Sequence, residues 1–150
     1  MTKAEDFIHD TGYFASKDGL QIFYQSWRPR DRERAALCVA HGLGEHSGRY
    51  GNLVDKLVPR GFGVFALDHR GHGRSHGKRG HVDAFSQYID DLDVFMDIVQ
   101  SKSNGPFFLF GHSMGGLIAL SYAILYPEKI SGVVSSSAAL KLALEVPKFK

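Results

Sequence analysis

Residues 107–124 read FFLFGHSMGGLIALSYAI, and two different patterns meet inside them. Phe107–Phe110 is an apolar run too short for a helix, which reads as a buried strand. From Met114 to Tyr126 apolar residues fall on nearly every side of a helix, and Pro127 ends it. Gly111-His112-Ser113-Met114-Gly115 joins the two. A strand that passes straight into a helix must turn sharply, and a G-x-S-x-G turn of this kind lifts the serine hydroxyl clear of the sheet. The glycines leave space where a Cβ would meet backbone. Ser113 therefore stands where a nucleophile would stand.

Outward from this stretch, short apolar runs alternate with helical patterns. Ala35–Ala40, Gly63–Leu67 and Ile130–Ser135 read as strands. Tyr50, Leu53, Val54, Leu57 and Val58 mark one helix face, with Ser47 as expected N-cap and Pro59 near the stop. Phe85, Tyr88, Ile89, Leu92, Phe95, Met96 and Val99 mark a longer one, with Asp83 as expected N-cap. Tyr13–Ser16 and Leu20–Trp27 flank Lys17-Asp18-Gly19, an expected hairpin. Strands alternating with helices imply an α/β domain whose mostly parallel sheet is covered on both faces, with an antiparallel hairpin at the N-terminus. The all-round apolar helix after Ser113 is expected in the interior.

Composition narrows the function classes. The chain has 150 residues, enough for one domain with a core, and its 43% hydrophobic and 23% charged residues argue against disorder. A net charge of +2 implies no acidic partner. Cys38 is the only cysteine, so no intrachain disulfide forms, and its apolar surroundings suggest a buried side chain. The N-terminal residues lack the apolar core of a signal peptide, and no run of 18 apolar residues is present. A cytoplasmic protein is the expectation.

The G-x-S-x-G pattern recurs at Gly73-Arg74-Ser75-His76-Gly77, but neither strand nor helix flanks Ser75. Context separates the two: Ser113 is the nucleophile candidate and Ser75 a loop residue. The amide of Met114 begins a helix, where free N–H groups and the helix dipole favour negative charge. A second donor is expected from the loop after an earlier strand, His41-Gly42-Leu43-Gly44, most naturally the amide of Leu43.

Three segments, HGLGEHSGRY at 41–50, LDHRGHGRSHGKRGH at 67–81 and GHSMGG at 111–116, resemble the α/β-hydrolase superfamily and, within it, the monoacylglycerol lipase and lysophospholipase-like branch. The resemblance implies Ser113 as nucleophile, Met114 and Leu43 as oxyanion donors, His41, Gly42, Gly44, Gly111, His112 and Gly115 as supporting motif residues, and a lipid carboxylic ester as substrate. It implies no cofactor and makes Asp68 structural. Peptidase, thioesterase or acyltransferase chemistry on the same turn, or an inactive half-domain that binds a partner, are the alternatives.

The loop at 69–81 holds Arg70, Arg74, Lys78, Arg79 and four histidines. It lacks the interleaved aromatics or recognition helix of a nucleic-acid reader. Its histidine spacing fits no zinc pattern, so no metal is expected and loop polarity explains His69, His72, His76 and His81. Attraction to anionic headgroups at a membrane surface is a milder reading. Glu45 and Arg49 are spaced to pair, and His112 is expected to point away from its neighbour Ser113.

In this architecture an acid and then a histidine follow the serine. After Ser113 only Glu128 and Glu145 are acidic, and His112 is the last of eight histidines. The expectation is that 1–137 form the N-terminal part of the hydrolase core and 138–150 the start of a cap, with the triad acid and base outside this chain. The strand at 130–135 would then be an open apolar edge, to be covered by a second copy or by a C-terminal half.

Overall fold

The computed structural model describes residues 7–141. The hairpin is formed by β1 (Phe7–Ala15) and β2 (Gln21–Pro29), paired in full register from Phe7↔Pro29 to Ala15↔Gln21. Gly19 supplies the positive φ of 85° that the turn needs. The strand starts six residues earlier than the sequence suggests, because His9, Asp10 and Thr11 face solvent and leave no apolar alternation to read.

The remaining strands are β3 (Ala35–Ala40), β4 (Phe62–Leu67), β5 (Phe107–His112) and β6 (Gly132–Ser136), and the sheet order is β1-β2-β4-β3-β5-β6. β2 joins β4 antiparallel, and the other pairings are parallel. The helices are α1 (Gly51–Leu57), α2 (Ser86–Lys102) and α3 (Met114–Leu125).

Alternation along β3 and β4 sends side chains to two cores. Val39, Val64 and Ala66 pack with Tyr50, Val54 and Val58 on the α1 side. Cys38, Phe65 and Leu67 pack with Leu92, Phe95, Met96, Ile118 and Tyr122 on the side of α2 and α3. From β3 the chain steps one way to β4; from β4 to β5 and then β6 it steps the other way. Crossovers of one hand in opposite directions must place their helices on opposite faces. The direction changes between the adjacent strands β3 and β5, where a crevice opens at their carboxyl ends. Ala40 pairs with Gly111 at that point, so the two loops that leave there are 41–44 and the turn at Ser113.

Several sequence expectations need correction. His46, not Ser47, caps the turn at Ser47–Tyr50, its side chain accepting from the Gly48 N–H. Ser47 is buried instead, donating its N–H to Asp68 and accepting from Gln25. Asp83 caps nothing: α2 begins after Phe85 without a side-chain cap, and Gln87 accepts from the Asp83 N–H. α3 is not interior throughout, since Ile124 is 79% and Leu125 61% exposed while Ile118, Ala119 and Tyr122 are buried. The last strand does lie where expected: β6 forms one edge of the sheet, with Val133 and Val134 exposed.

Candidate active site

Ser113 has φ 56° and ψ −117°, a conformation that L-residues adopt only under constraint. Its N–H donates to Ser136 O (2.9 Å), and its carbonyl accepts from Leu117 N–H (3.2 Å) and Ala139 N–H (3.1 Å). Those bonds hold the turn from three sides. The glycines of the motif are required by contact: a Cβ on Gly111 would lie 2.1 Å from Gly115 O, and one on Gly115 2.0 Å from Ala40 O. The Ser113 hydroxyl has no hydrogen-bond partner among the described residues.

The loop at 41–44 passes directly beside this turn. A Cβ on Gly42 would lie 3.3 Å from Ser113 Cβ and 3.3 Å from His112 O. The Gly42 amide is occupied, donating to Glu45 Oε2 at 2.8 Å. The amides of Leu43 and Met114 meet no acceptor among the described residues, which leaves them free for a developing anion. Leu43 is 64% exposed and Gly44 carries the positive φ (73°) that turns the loop.

Glu45 does not pair with Arg49. The carboxylate accepts from Gly42 N–H and from the Tyr50 hydroxyl (3.0 Å). Burial is the largest single influence and would raise its pKa, but these two bonds together with the nearby His112 and Arg49 hold it below the usual carboxylate range. Tyr50 moves the opposite way, its pKa raised by burial and by the adjacent carboxylate. His112 does turn away from Ser113: its Nδ1 lies 3.2 Å from Ser136 Oγ, across on β6.

The loop after β4 is where sequence reasoning misses most. Ser75 is 3% exposed; its hydroxyl donates to Asp68 O and accepts from Phe23 N–H (2.8 Å). Asp68 in turn accepts from Ser47 N–H (2.6 Å) and Arg74 N–H (2.8 Å). Arg70 is buried against Asp91 (2.7 Å) and Asp18 (2.8 Å), and Asp91 above all holds its guanidinium charged. Arg79 donates to the carbonyls of Gly73, Ser75 and Gly77, while Arg74 lies over the Phe23 ring. Most of the loop's cations thus hold the fold rather than wait for an anion.

Loop polarity does not explain His69 and His72 either, since neither ring faces solvent. Both are buried with His41 in one cluster, the rings of His41 and His69 4.3 Å apart at their centroids. The only sequence signal was that His41, His69 and His72 all follow strand ends that the topology brings together. Among the described residues, no three histidine, cysteine, aspartate or glutamate side chains, this cluster included, are placed to hold a metal ion. Cys38 is buried, which raises its thiol pKa and makes it an inert core residue. A cavity of about 950 Å³ opens at the opposite end of the sheet between Arg28, Glu33, Lys102 and Asn104, remote from Ser113.

Comparison with known proteins bears on the family and the fold. Residues 31–150 match the family described as serine aminopeptidase, S33. The chain is 39% identical over 128 residues to a monoacylglycerol lipase of Mycolicibacterium smegmatis, covering 85% of this chain and 46% of that protein. It is 40% identical over 126 residues to the human monoglyceride lipase, covering 83% and 42%. Among solved structures, a soluble variant of the Saccharomyces cerevisiae monoglyceride lipase superposes with a TM-score of 0.77 at 29% identity, covering 91% of this chain and 46% of the other. The chain therefore spans less than half the length of the relatives it matches. On the family match and these relatives together, the chain belongs to the serine aminopeptidase S33 family, in the monoacylglycerol lipase-like branch of the α/β-hydrolases.

Proposed function

We propose that the protein hydrolyses carboxylic esters of lipids, of monoacylglycerol or lysophospholipid type, through an acyl-enzyme on Ser113. The observation that carries this reading is the constrained φ of Ser113 at the switch point, beside two unoccupied amides. Attack of Oγ on the ester carbon makes an oxyanion, which Leu43 and Met114 N–H groups stabilise; one such donor contributes roughly 3 kcal/mol. The alcohol leaves, and water then releases the acid. The lipid character of the substrate rests on the monoacylglycerol lipases among the relatives.

A proton acceptor for Ser113 is part of this chemistry. No histidine follows Ser113 in these 150 residues, and His112 is bonded to Ser136, so the reading assigns acid and base to polypeptide outside them. That polypeptide would also cover β6, where Val133, Val134 and Leu140 are exposed. Residues 1–137 then belong to the core and 138–150 to the start of a cap; of these, 1–6 and 142–150 lie outside the described residues. Among the described residues no helix is long and apolar enough to cross a bilayer.

The test is labelling with a fluorophosphonate probe, with the Ser113→Ala variant alongside and the labelled residue identified by mass spectrometry. Hydrolysis of monoacylglycerol by the longer protein, abolished by Ser113→Ala, is the expected result. Hydrolysis that survives Ser113→Ala would overturn the assignment.

A further inference from the structure

The buried histidines are not used by the chemistry above, yet their hydrogen bonds are specific enough to assign each proton. The backbone N–H of His69 points at His41 Nε2 (2.9 Å), and an amide can only donate, so that nitrogen carries a lone pair. The proton of His41 is then on Nδ1, where it meets Gly42 O at 2.7 Å. His69 Nε2 lies 3.0 Å from His41 O, a carbonyl that can only accept, so His69 is protonated there. His69 Nδ1 keeps a lone pair with no partner among the described residues. Two residues thus grip each other through four groups, joining the loop after β3 to the loop after β4.

We propose that His41 and His69 are positioning residues for the reaction: their reciprocal bonds clamp the 41–44 loop so that the Leu43 amide is held beside Ser113, and a proton on His41 Nε2 releases it. The inference rests on the reading of Ser113 as nucleophile and Leu43 as oxyanion donor.

The geometry explains why the clamp requires neutral rings. A proton added to His41 Nε2 would confront the His69 N–H head on and break the bond. A proton added to His69 Nδ1 would be buried without an acceptor, which is costly. Burial accordingly lowers the pKa of His41 to about 4 and that of His69 well below its usual value. The titratable groups facing the pair are His72, Asp68 and Glu45 around His41, with His72 and Tyr88 around His69. The two carboxylates raise the His41 value and the neighbouring histidine lowers it; burial outweighs them all.

The test is a pH titration of the 150-residue chain by ¹⁵N imidazole and amide spectroscopy, in wild type and His41→Gln. Gln places a carbonyl oxygen near the Nε2 position, so it still accepts from His69 N–H but takes up no proton in this range. In wild type at pH 7, His41 should be protonated at Nδ1 and His69 at Nε2. On acidification the Leu43 amide should shift with the midpoint of His41, near pH 4. In His41→Gln that shift should vanish. A His41 proton on Nε2 at pH 7, or a Leu43 amide that titrates identically in both proteins, would overturn the clamp. Should His41→Gln not fold, the wild-type protonation sites decide. A merely structural pair would alter stability without tying the Leu43 midpoint to His41. The spectra need no turnover: coupling without any ester hydrolysis would sink the hydrolase reading and leave the clamp, and hydrolysis without coupling would do the reverse.

Discussion

The backbone of Gly115 in the first turn of α3 lies so close under the end of β3 that a Cβ there would stand 2.0 Å from the carbonyl oxygen of Ala40. The same Cβ would be 2.5 Å from His41 O. The helix carrying one candidate oxyanion donor and the strand end carrying the other are therefore in direct backbone contact. Spacing between Met114 and the 41–44 loop is set by the absence of a side chain at Gly115.

Gly115→Ala should consequently cost roughly 3 kcal/mol or more, because backbone on both sides must move. Gly44→Ala offers the contrast. Its φ is +73° with nothing within 4 Å of an added Cβ, so only backbone strain opposes it, about 1 kcal/mol. Urea unfolding followed by circular dichroism measures both, and equal losses would contradict the close-contact account.

At Ser113 itself the usual order of alanine and glycine should reverse. Glycine normally lowers stability through chain entropy, but at φ 56°, ψ −117° it also removes backbone strain. Ser113→Gly should exceed Ser113→Ala in stability by about 1 kcal/mol. Both should lose fluorophosphonate labelling. An alanine variant more stable than the glycine variant would show that the turn is not strained.

The second serine motif makes an opposite prediction. Ser75→Ala leaves the Phe23 N–H buried without its acceptor and removes the bond to Asp68 O. A loss of about 1–3 kcal/mol in stability is expected. Chemistry at Ser113 should be unaffected under conditions where the variant is folded. A Ser75 variant that keeps full stability but loses labelling would reverse the roles given to the two serines.

Acid should unfold the protein partly through its buried histidines. Burial holds the folded-state pKa of His41 at about 4, below the 6.5 of an ordinary histidine, so between those values the unfolded chain binds more protons than the folded one. Stability from this group is complete above pH 6.5 and is lost as pH falls towards 4, by on the order of 3 kcal/mol for His41. His69 adds to the loss in the same direction. His41→Gln should flatten the pH dependence of the urea midpoint between pH 4 and 6.5. An unchanged slope would mean that His41 is protonated in the folded state.

Local pattern was a good guide wherever burial is the dominant force. Ala35–Ala40 and Phe107–Phe110 were legible as strands because central strands covered on both faces are apolar at successive positions, even where, as at Phe107, Phe108 and Phe110, the cover is partial. Ser113 was legible because a strand-to-helix turn has few sequence solutions. Ser47 and Asp83 misled as caps because a cap is chosen by which groups tertiary contacts leave free: Asp68 recruits the amide of Ser47, and Gln87 reaches back to that of Asp83. Glu45 and Arg49 look like a helical pair, but the buried amide of Gly42 competes for the carboxylate and wins.

Short stretches of sequence suffice for the alternation of strands and helices, for the sharp strand-to-helix turn at Ser113, and for the placing of Ser75 in a loop without either element. Each follows from forces acting within about a dozen residues: apolar period, proline, and glycine at backbone contacts. Long-range packing sets the rest: β3 and β5 become neighbours at the switch point, Gly42 passes beside Ser113, and His41 and His69 bury and exchange hydrogen bonds. Those relationships join residues 28 and more positions apart, and a histidine's spacing in the chain carries no record of whether its ring will meet water or a carbonyl oxygen.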